Sequence, residues 1–462
     1  MWKLVLALVM LFVLAGFDEA YSPPEILAED PALPEGYSAS QALRLDLPAV
    51  LALAMQHNLG MAIERKEVKA ADLTAHSASR SLYEPTVSGS YTRSSSGNGW
   101  HFGATSQLPT GGHVAIDSDG SAVSASITQP LLRGFSLDLA IPRYSILTAR
   151  IAAARERHEL AITAATVIRE TEAAYWDVVY ALYSYNVTVK SKTLAHDTVE
   201  LVTRQIAAGL IPSSDLIGAE NTLAQRKIAV LTAAQQVEQA WDTLRTIIHL
   251  PRDQWTRPLL PTDRPRFEPK PRRTFDAAFA TAMKQRPELA QIELDRETVS
   301  LALRKAKNDA LPQVDVGITV DNAQGFGVMG TVSWTPLQWA SKANTELTRI
   351  QRDVQTIGTE QRVQAIWNEV RSAVRGQEAA ALEVVATAQS RKLALATLSI
   401  ETQKYLAGDS SNLAVAQLQS GLASAELSEL QALIAHEKAE TGVLVSTGQL
   451  LEHRHIKLEV VR

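Results

Sequence analysis

The feature that most constrains this chain is an internal duplication. Leu47 to Val87 reads LPAVLALAMQHNLGMAIERKEVKAADLTAHSASRSLYEPTV, and Phe275 to Val314 reads FDAAFATAMKQRPELAQIELDRETVSLALRKAKNDALPQV. Ala54-Met55 aligns with Ala282-Met283, Leu73 with Leu301 and, after a one-residue slip, Pro85 with Pro312. In each copy the spacing predicts a helix, a break at Asn58 or Arg286-Pro287, a longer helix, and a proline that stops it. The fold must therefore supply equivalent elements twice.

Past each proline the periodicity drops to two. Val314, Val316, Ile318 and Val320 alternate with Gln313, Asp315, Gly317, Thr319 and Asp321. After a turn at Asn322 to Gly325, Val328, Gly330, Val332 and Trp334 alternate with Met329, Thr331, Ser333 and Thr335 until Pro336. In the first copy Thr86 to Ser94 sets Val87, Gly89, Tyr91 and Arg93 against Ser and Thr, and the return strand is Ala122 to Gln129, ending at Pro130. Between them, glycine-rich Gly97 to Asp119, with Trp100 and Phe102, either extends these strands or forms a loop hairpin.

Hairpins with one aliphatic and one small polar face suit a half-buried sheet or the wall of a membrane barrel. Strand length favours the barrel, since a tilted strand crosses a bilayer in about 9–11 residues. Beyond the first fifteen residues there is no apolar run of the roughly 18 residues that a spanning helix needs. A membrane protein of this composition can only be a barrel. The 462 residues carry a net charge of -5, which argues against a nucleic-acid partner. The absence of cysteine excludes disulfides, zinc-thiolate and iron-sulfur sites and cysteine nucleophiles.

Met1 to Lys3 and the apolar Leu4 to Leu14 predict a secretory signal over residues 1–15, cut after Ala15, with Ala20 as the alternative position. Phe17 stands where a lipoprotein would carry its acylated cysteine. The organisation that follows is an extended segment over 16–46, a first repeat over 47–250, a Pro- and Arg-rich connector over 251–273 read as a surface strap, a second repeat over 274–452 and a tail over 453–462.

No proline lies between Pro142 and Pro212, or between Pro336 and Arg462. A helix filling the first gap would reach roughly 100 Å. Ala164, Ile168, Thr171, Tyr175, Val178, Leu182, Tyr185 and Val189 keep the 3-4 spacing of a coiled-coil seam. Ala165, Ala173, Ala174 and Ala181 offer a second close-packing face, as in the wall of a helical tube. Each long helix should end in a short turn, at Gly209 before Ser213-Ser214-Asp215-Leu216 and at Gly408 before Ser410-Ser411-Asn412-Leu413, the serines capping the return helix.

Motifs for chemistry are weak. Gly325-Phe326-Gly327-Val328-Met329-Gly330 has dinucleotide-fingerprint spacing but is followed by a strand where the phosphate site needs a helix. His158-Glu159 and His436-Glu437 lack the second histidine of a zinc protease, and His453 with His455 reads as a solvated tail. No enzymatic constellation, cofactor site or metal site is expected.

The duplicated starts, Leu82-Tyr83-Glu84-Pro85 and Ala310-Leu311-Pro312, the segment Thr128-Gln129-Pro130-Leu131-Leu132-Arg133-Gly134, and the turns Lys404-Tyr405-Leu406-Ala407-Gly408 and Gly209 with Asp215-Leu216 together resemble the TolC-type outer membrane efflux protein family. The resemblance implies a mainly α-helical, internally duplicated fold. Its long helices would form a periplasmic tunnel, and four strands per protomer would contribute to a twelve-stranded outer membrane barrel in a homotrimer. It implies passive conduction for an inner-membrane transporter and a periplasmic adaptor. Four strands cannot close a barrel alone, so oligomerisation is a physical requirement too. By matched position, Asp215 and Tyr405 would link helix pairs at the closed tunnel end. Ser410 stands where some members have a basic residue, and Ala414 and Gln417 stand at the acidic constriction positions, which departs from a cation-selective ring. The alternative from another class is a periplasmic coiled-coil adaptor, which carries a single hairpin where this chain carries two.

Overall fold

The computed structural model describes the chain from Tyr21 onward, except residues 22, 25–26, 29, 83, 95–96, 210–211, 269–272, 323–324, 408 and 459–462. The expected signal over 1–15 and Gly408 lie outside the described residues.

The two copies fold into elements of matching length. Helices α1 (Leu47–His57) and α5 (Phe275–Gln285) have 11 residues each, and α2 (Leu59–Ser81) and α6 (Pro287–Asp309) have 23 each. The long helices are α3 (Tyr144–Ala207, 64 residues) and α7 (Trp339–Ala407, 69 residues). The return helices are α4 (Ser214–Ile248, 35 residues) and α8 (Asn412–Thr447, 36 residues), and α9 (Leu450–His453) follows. Between α2 and α3 lie β2 (Thr86–Ser94), β3 (Gly97–Gln107), β4 (His113–Ser118) and β5 (Val123–Pro130). Between α6 and α7 lie β7 (Gln313–Asp321) and β8 (Gly325–Ser333). Two short strands, β1 (Leu43–Leu45) and β6 (Leu259–Pro261), pair in parallel.

Local chemistry sets the breaks. Asp46 caps α1 by accepting from Ala49 N at 3.0 Å. Asn58 ends that helix and starts the next: its Oδ1 accepts from Met61 N at 3.1 Å while its amide donates to the Ile247 carbonyl at 2.9 Å. In the second copy Pro287 opens α6, where its missing N–H costs nothing.

The chain packs into two compact units, and each draws on both copies. One comprises residues 1–61, 164–282 and 369–455. Here the expected seam of α3 is buried at Ala164, Ile168, Thr171, Tyr175, Val178, Leu182 and Tyr185, with Val189 half-buried. Ala174 and Ala181 are buried on the second face. The unit also buries two carboxylates, Glu172 and Glu429, both paired as burial requires. Glu172 accepts from Arg454 Nε at 2.7 Å and from Thr441 Oγ1 at 2.5 Å. Glu429, fully buried, meets Arg391 and accepts from Tyr21 OH at 3.1 Å. Burial and the Glu429 carboxylate raise the Tyr21 phenol pKa well above its usual value.

The connector is more than a surface strap. Its Leu259 and Leu260 are buried in β6, and Trp241 Nε1 donates to the Leu259 carbonyl at 2.8 Å. Asp263 accepts from Tyr175 OH and from Leu47 N, both at 2.7 Å, tying the connector to α3 and to the start of α1. An apolar Leu-Leu pair among arginines and prolines is driven inward by the hydrophobic effect, which a reading of its average composition misses.

The other unit comprises residues 62–163, 283–368 and 456–462. It has a small apolar cluster of Ala140, Ile151 and Leu301 with Tyr144, Leu147 and Leu294 packed on it. Asn308 pins the segment leaving β5, donating to the carbonyls of Leu132 at 3.1 Å and Phe135 at 2.9 Å and accepting from Gly134 N at 2.7 Å. Among the described residues no helix is long and apolar enough to cross a membrane.

Candidate functional site

The second unit carries one antiparallel sheet in the order β2-β3-β4-β5-β7-β8. The four expected strands are present as β2, β5, β7 and β8, and the stretch left open between extension and loop supplies two more. The sheet therefore has six strands per chain where four were expected. Trp100, Phe102 and Ala104 alternate with His101, Gly103 and Thr105, which is strand periodicity, and the Pro-Thr-Gly-Gly run at 109–112 turns the chain back. Pro85 directly precedes β2, Pro130 closes β5, Pro312 precedes β7, and Pro336 follows β8 after Trp334 and Thr335.

Register sorts the side chains by chemistry. One face carries Val87 and Tyr91 on β2, Trp100 and Phe102 on β3, Val114 and Ile116 on β4, and Val123 and Ile127 on β5, continuing through Val316, Ile318 and Val320 to Phe326, Val328 and Val332. The other face is mainly serine, threonine and glycine with His101, His113, Asp117, Asp315 and Asp321, and it includes Ala115 and Met329, while Arg93 lies on the apolar face near the β2–β3 turn. The apolar face is exposed in the single chain, with Val87 at 76% and Val332 at 73% of full exposure. Tyr91, Trp100 and Phe326 lie toward the β2–β3 and β7–β8 turns, and Trp334 lies just past the opposite end of β8. Apolar bands bounded by aromatic residues are the signature of a lipid-facing barrel wall. The outer edges of β2 and β8 pair with nothing in the sheet.

The helix turns form the second feature and belong to the other unit. Tyr405, near the end of α7, shares hydrogen bonds with Gln205 near the end of α3: Gln205 Nε2 donates to the Tyr405 hydroxyl at 3.1 Å. Asp215 lies exposed in the first turn of α4, with Ser214 Oγ at 3.4 Å from its Oδ1. No hydrogen bond joins Asp215 to Tyr405 among the described residues; Gln205, two hundred positions from Tyr405, takes that place. Ser410 Oγ donates to Glu401 Oε1 at 2.5 Å. Ala414 is half-buried and Gln417 exposed, while Leu413 is exposed and Leu216 half-buried. Gly209 sits at φ +71°, the left-handed geometry that ends α3. The expected capping is asymmetric. Ser411 caps α8 through Ala414 N, whereas Ser213 lies in helical geometry and its side chain makes no capping bond.

No metal site is expected from spacing, yet the fold brings Glu64 and Glu67 of α2 and Glu156 of α3 together, with carboxylate oxygens within 4.8 Å of one another. Glu64 is buried and its Oε1 has no hydrogen-bond partner. Burial, then Glu67, Glu159 and Glu156, raise the Glu64 pKa.

Residues 50–248 match the outer membrane efflux protein family. No curated protein sequence matches the chain significantly. Among solved structures, a membrane protein from Pseudomonas aeruginosa is similar with a TM-score of 0.71 at 14% identity, over 96% of this chain and 99% of that one. The Campylobacter jejuni CmeC outer membrane channel is similar at 0.67 and 13% identity, over 87% and 86%. The open state of the Neisseria gonorrhoeae MtrE outer membrane channel is similar at 0.66 and 16% identity, over 93% and 98%. Over residues 50–248 the chain is thus similar to the outer membrane efflux protein family, and through nearly its whole length it shares the fold of solved outer membrane channels.

Proposed function

We propose that the chain is one subunit of a homotrimeric conduit in the outer membrane of a bacterium with a periplasm. Its helices extend into the periplasm and passively conduct substrates delivered by an inner-membrane transporter through a periplasmic adaptor. The observation that carries this reading is the sheet: apolar on one face, small and polar on the other, with two open edges. In lipid an open edge leaves backbone groups without partners at several kcal/mol each, so the sheet is complete only as part of a ring. The second hairpin and the fold likeness support a channel over an adaptor. Tyr405 held by Gln205, together with Asp215, is the lock of the periplasmic end. Ser410, already engaged by Glu401, and the uncharged Ala414 and Gln417 leave that end without an acidic ring. Membrane fractionation followed by seminative electrophoresis tests the reading. A trimer in the outer membrane fraction is expected, and recovery as a soluble monomer would overturn it.

A further inference from the structure

We infer that each copy contributes six strands to the membrane wall, so that three copies close an eighteen-stranded barrel. The inference rests on the conduit reading above and departs from the twelve strands that the family resemblance implies.

Three observations make β3 and β4 part of the wall. First, the ladder is unbroken from Thr86↔Thr105 to Ser94↔Gly97, from Phe102↔Ser118 to Gln107↔His113, and from His113↔Thr128 to Ser118↔Val123. Second, the apolar face continues through the insertion, with Ser106 and Ser118 among its polar members: Trp100 pairs with Tyr91, Val114 with Ile127 and Ile116 with Ala125. A hairpin displaced into water would expose Trp100 and Phe102 for no gain. Third, the turn joining the two strands is built into the sheet. Thr110 Oγ1 donates to Gln129 Oε1 at 2.6 Å, and Gln129 Nε2 donates back to the Thr110 carbonyl at 3.1 Å. Gly111 holds φ +86°, and a Cβ on Gly112 would lie 2.6 Å from the Thr128 carbonyl, so this turn sits against β5 by design of its glycines.

The open edges then name the partner, which is a second copy of this chain. With six antiparallel strands, β2 and β8 run in opposite directions, and each has 9 residues. When β8 of one copy meets β2 of the next, the antiparallel alternation continues and apolar meets apolar on the outer face. A four-strand wall would instead require β4, six residues long and hydrogen-bonded on both sides, to give up β3 and take β8 of the next copy. Barrel diameter grows about linearly with strand number, so eighteen strands give a bore roughly half again as wide as twelve. Strand counts of about 16–18 leave an aqueous channel lined, here, by the serine, threonine and glycine face.

Electron cryomicroscopy of the detergent-purified assembly counts the strands directly. Six per copy is expected; four per copy, with β2 and β3 outside the wall, would overturn the inference and leave the conduit reading intact. Because the chain has no cysteine, introduced pairs report cleanly. Gly89→Cys on β2 combined in turn with Val328→Cys, Gly330→Cys or Val332→Cys on β8 should yield disulfide-linked copies in intact outer membranes for at least one register. Linkage of those β8 positions to Ile116→Cys on β4 would overturn the inference. A chain that fractionates as a soluble monomer fails the conduit reading before either measurement, and this inference with it.

Discussion

At the scale of residues, Glu64 shows how packing and charge compete. Its buried carboxylate faces Glu67 and Glu156 with one oxygen unsatisfied, and its pKa is raised above the usual 4.5. A carboxyl group with a raised folded-state pKa contributes stability at low pH that is lost as pH rises through that pKa. At neutral pH Glu64 therefore opposes folding, and Glu64→Gln should raise the temperature at which the trimer dissociates by about 1–2 °C at pH 7. The gain should vanish near pH 4, when the wild-type carboxyl is protonated, and a gain that persists there would contradict the electrostatic origin. Tyr405 carries the opposite kind of prediction. Losing one hydrogen bond worth about 1 kcal/mol shifts a closed-to-open equilibrium roughly fivefold. Tyr405→Phe with Asp215→Ala should therefore raise single-channel conductance or open probability in planar bilayers, and Gln205→Ala should reproduce the Tyr405→Phe part.

At the scale of elements, the two helix turns are duplicated in sequence and unequal in structure. Ser411 caps α8 and Ser213 makes no cap bond, so Ser411→Ala should cost about 1 kcal/mol and speed amide exchange in the first turn of α8, while Ser213→Ala leaves α4 unchanged. In the sheet, Gly112→Ala forces a backbone contact and should reduce assembled trimer in the outer membrane several-fold, at a cost of about 1–3 kcal/mol. Gly99→Ala on β3 meets open space and serves as the control. Much of the element order was legible beforehand, because prolines at 85, 130, 312 and 336 punctuate clear changes of period. The β3–β4 insertion is less legible because its glycines weaken the alternation and β4 is only six residues long. The partnership of Gln205 with Tyr405 was hidden for a different reason: a contact across two hundred residues leaves no trace in local spacing. Burial of the connector leaves little sequence signal, because Leu259 and Leu260 are two residues in a polar run.

At the scale of the whole molecule, the duplication in sequence is not a division into two domains. Each compact unit takes segments from both copies, so neither repeat has a complete core by itself. Residues 1–250 and 251–462 expressed as separate exported chains should each be degraded, whereas co-expression should restore trimer; stable accumulation of one half alone would contradict the interleaving. The same interleaving sets a timetable for biogenesis. Glu172 is 282 residues ahead of Arg454, its charge partner. At the usual rate of about 5–20 residues per second, the carboxylate emerges some 15–55 s before the guanidinium that neutralises it. For that interval the seam of the first half lacks the segments of the second half that cover it. A chain whose two halves complete each other's cores is thus committed to folding only once its synthesis is nearly finished.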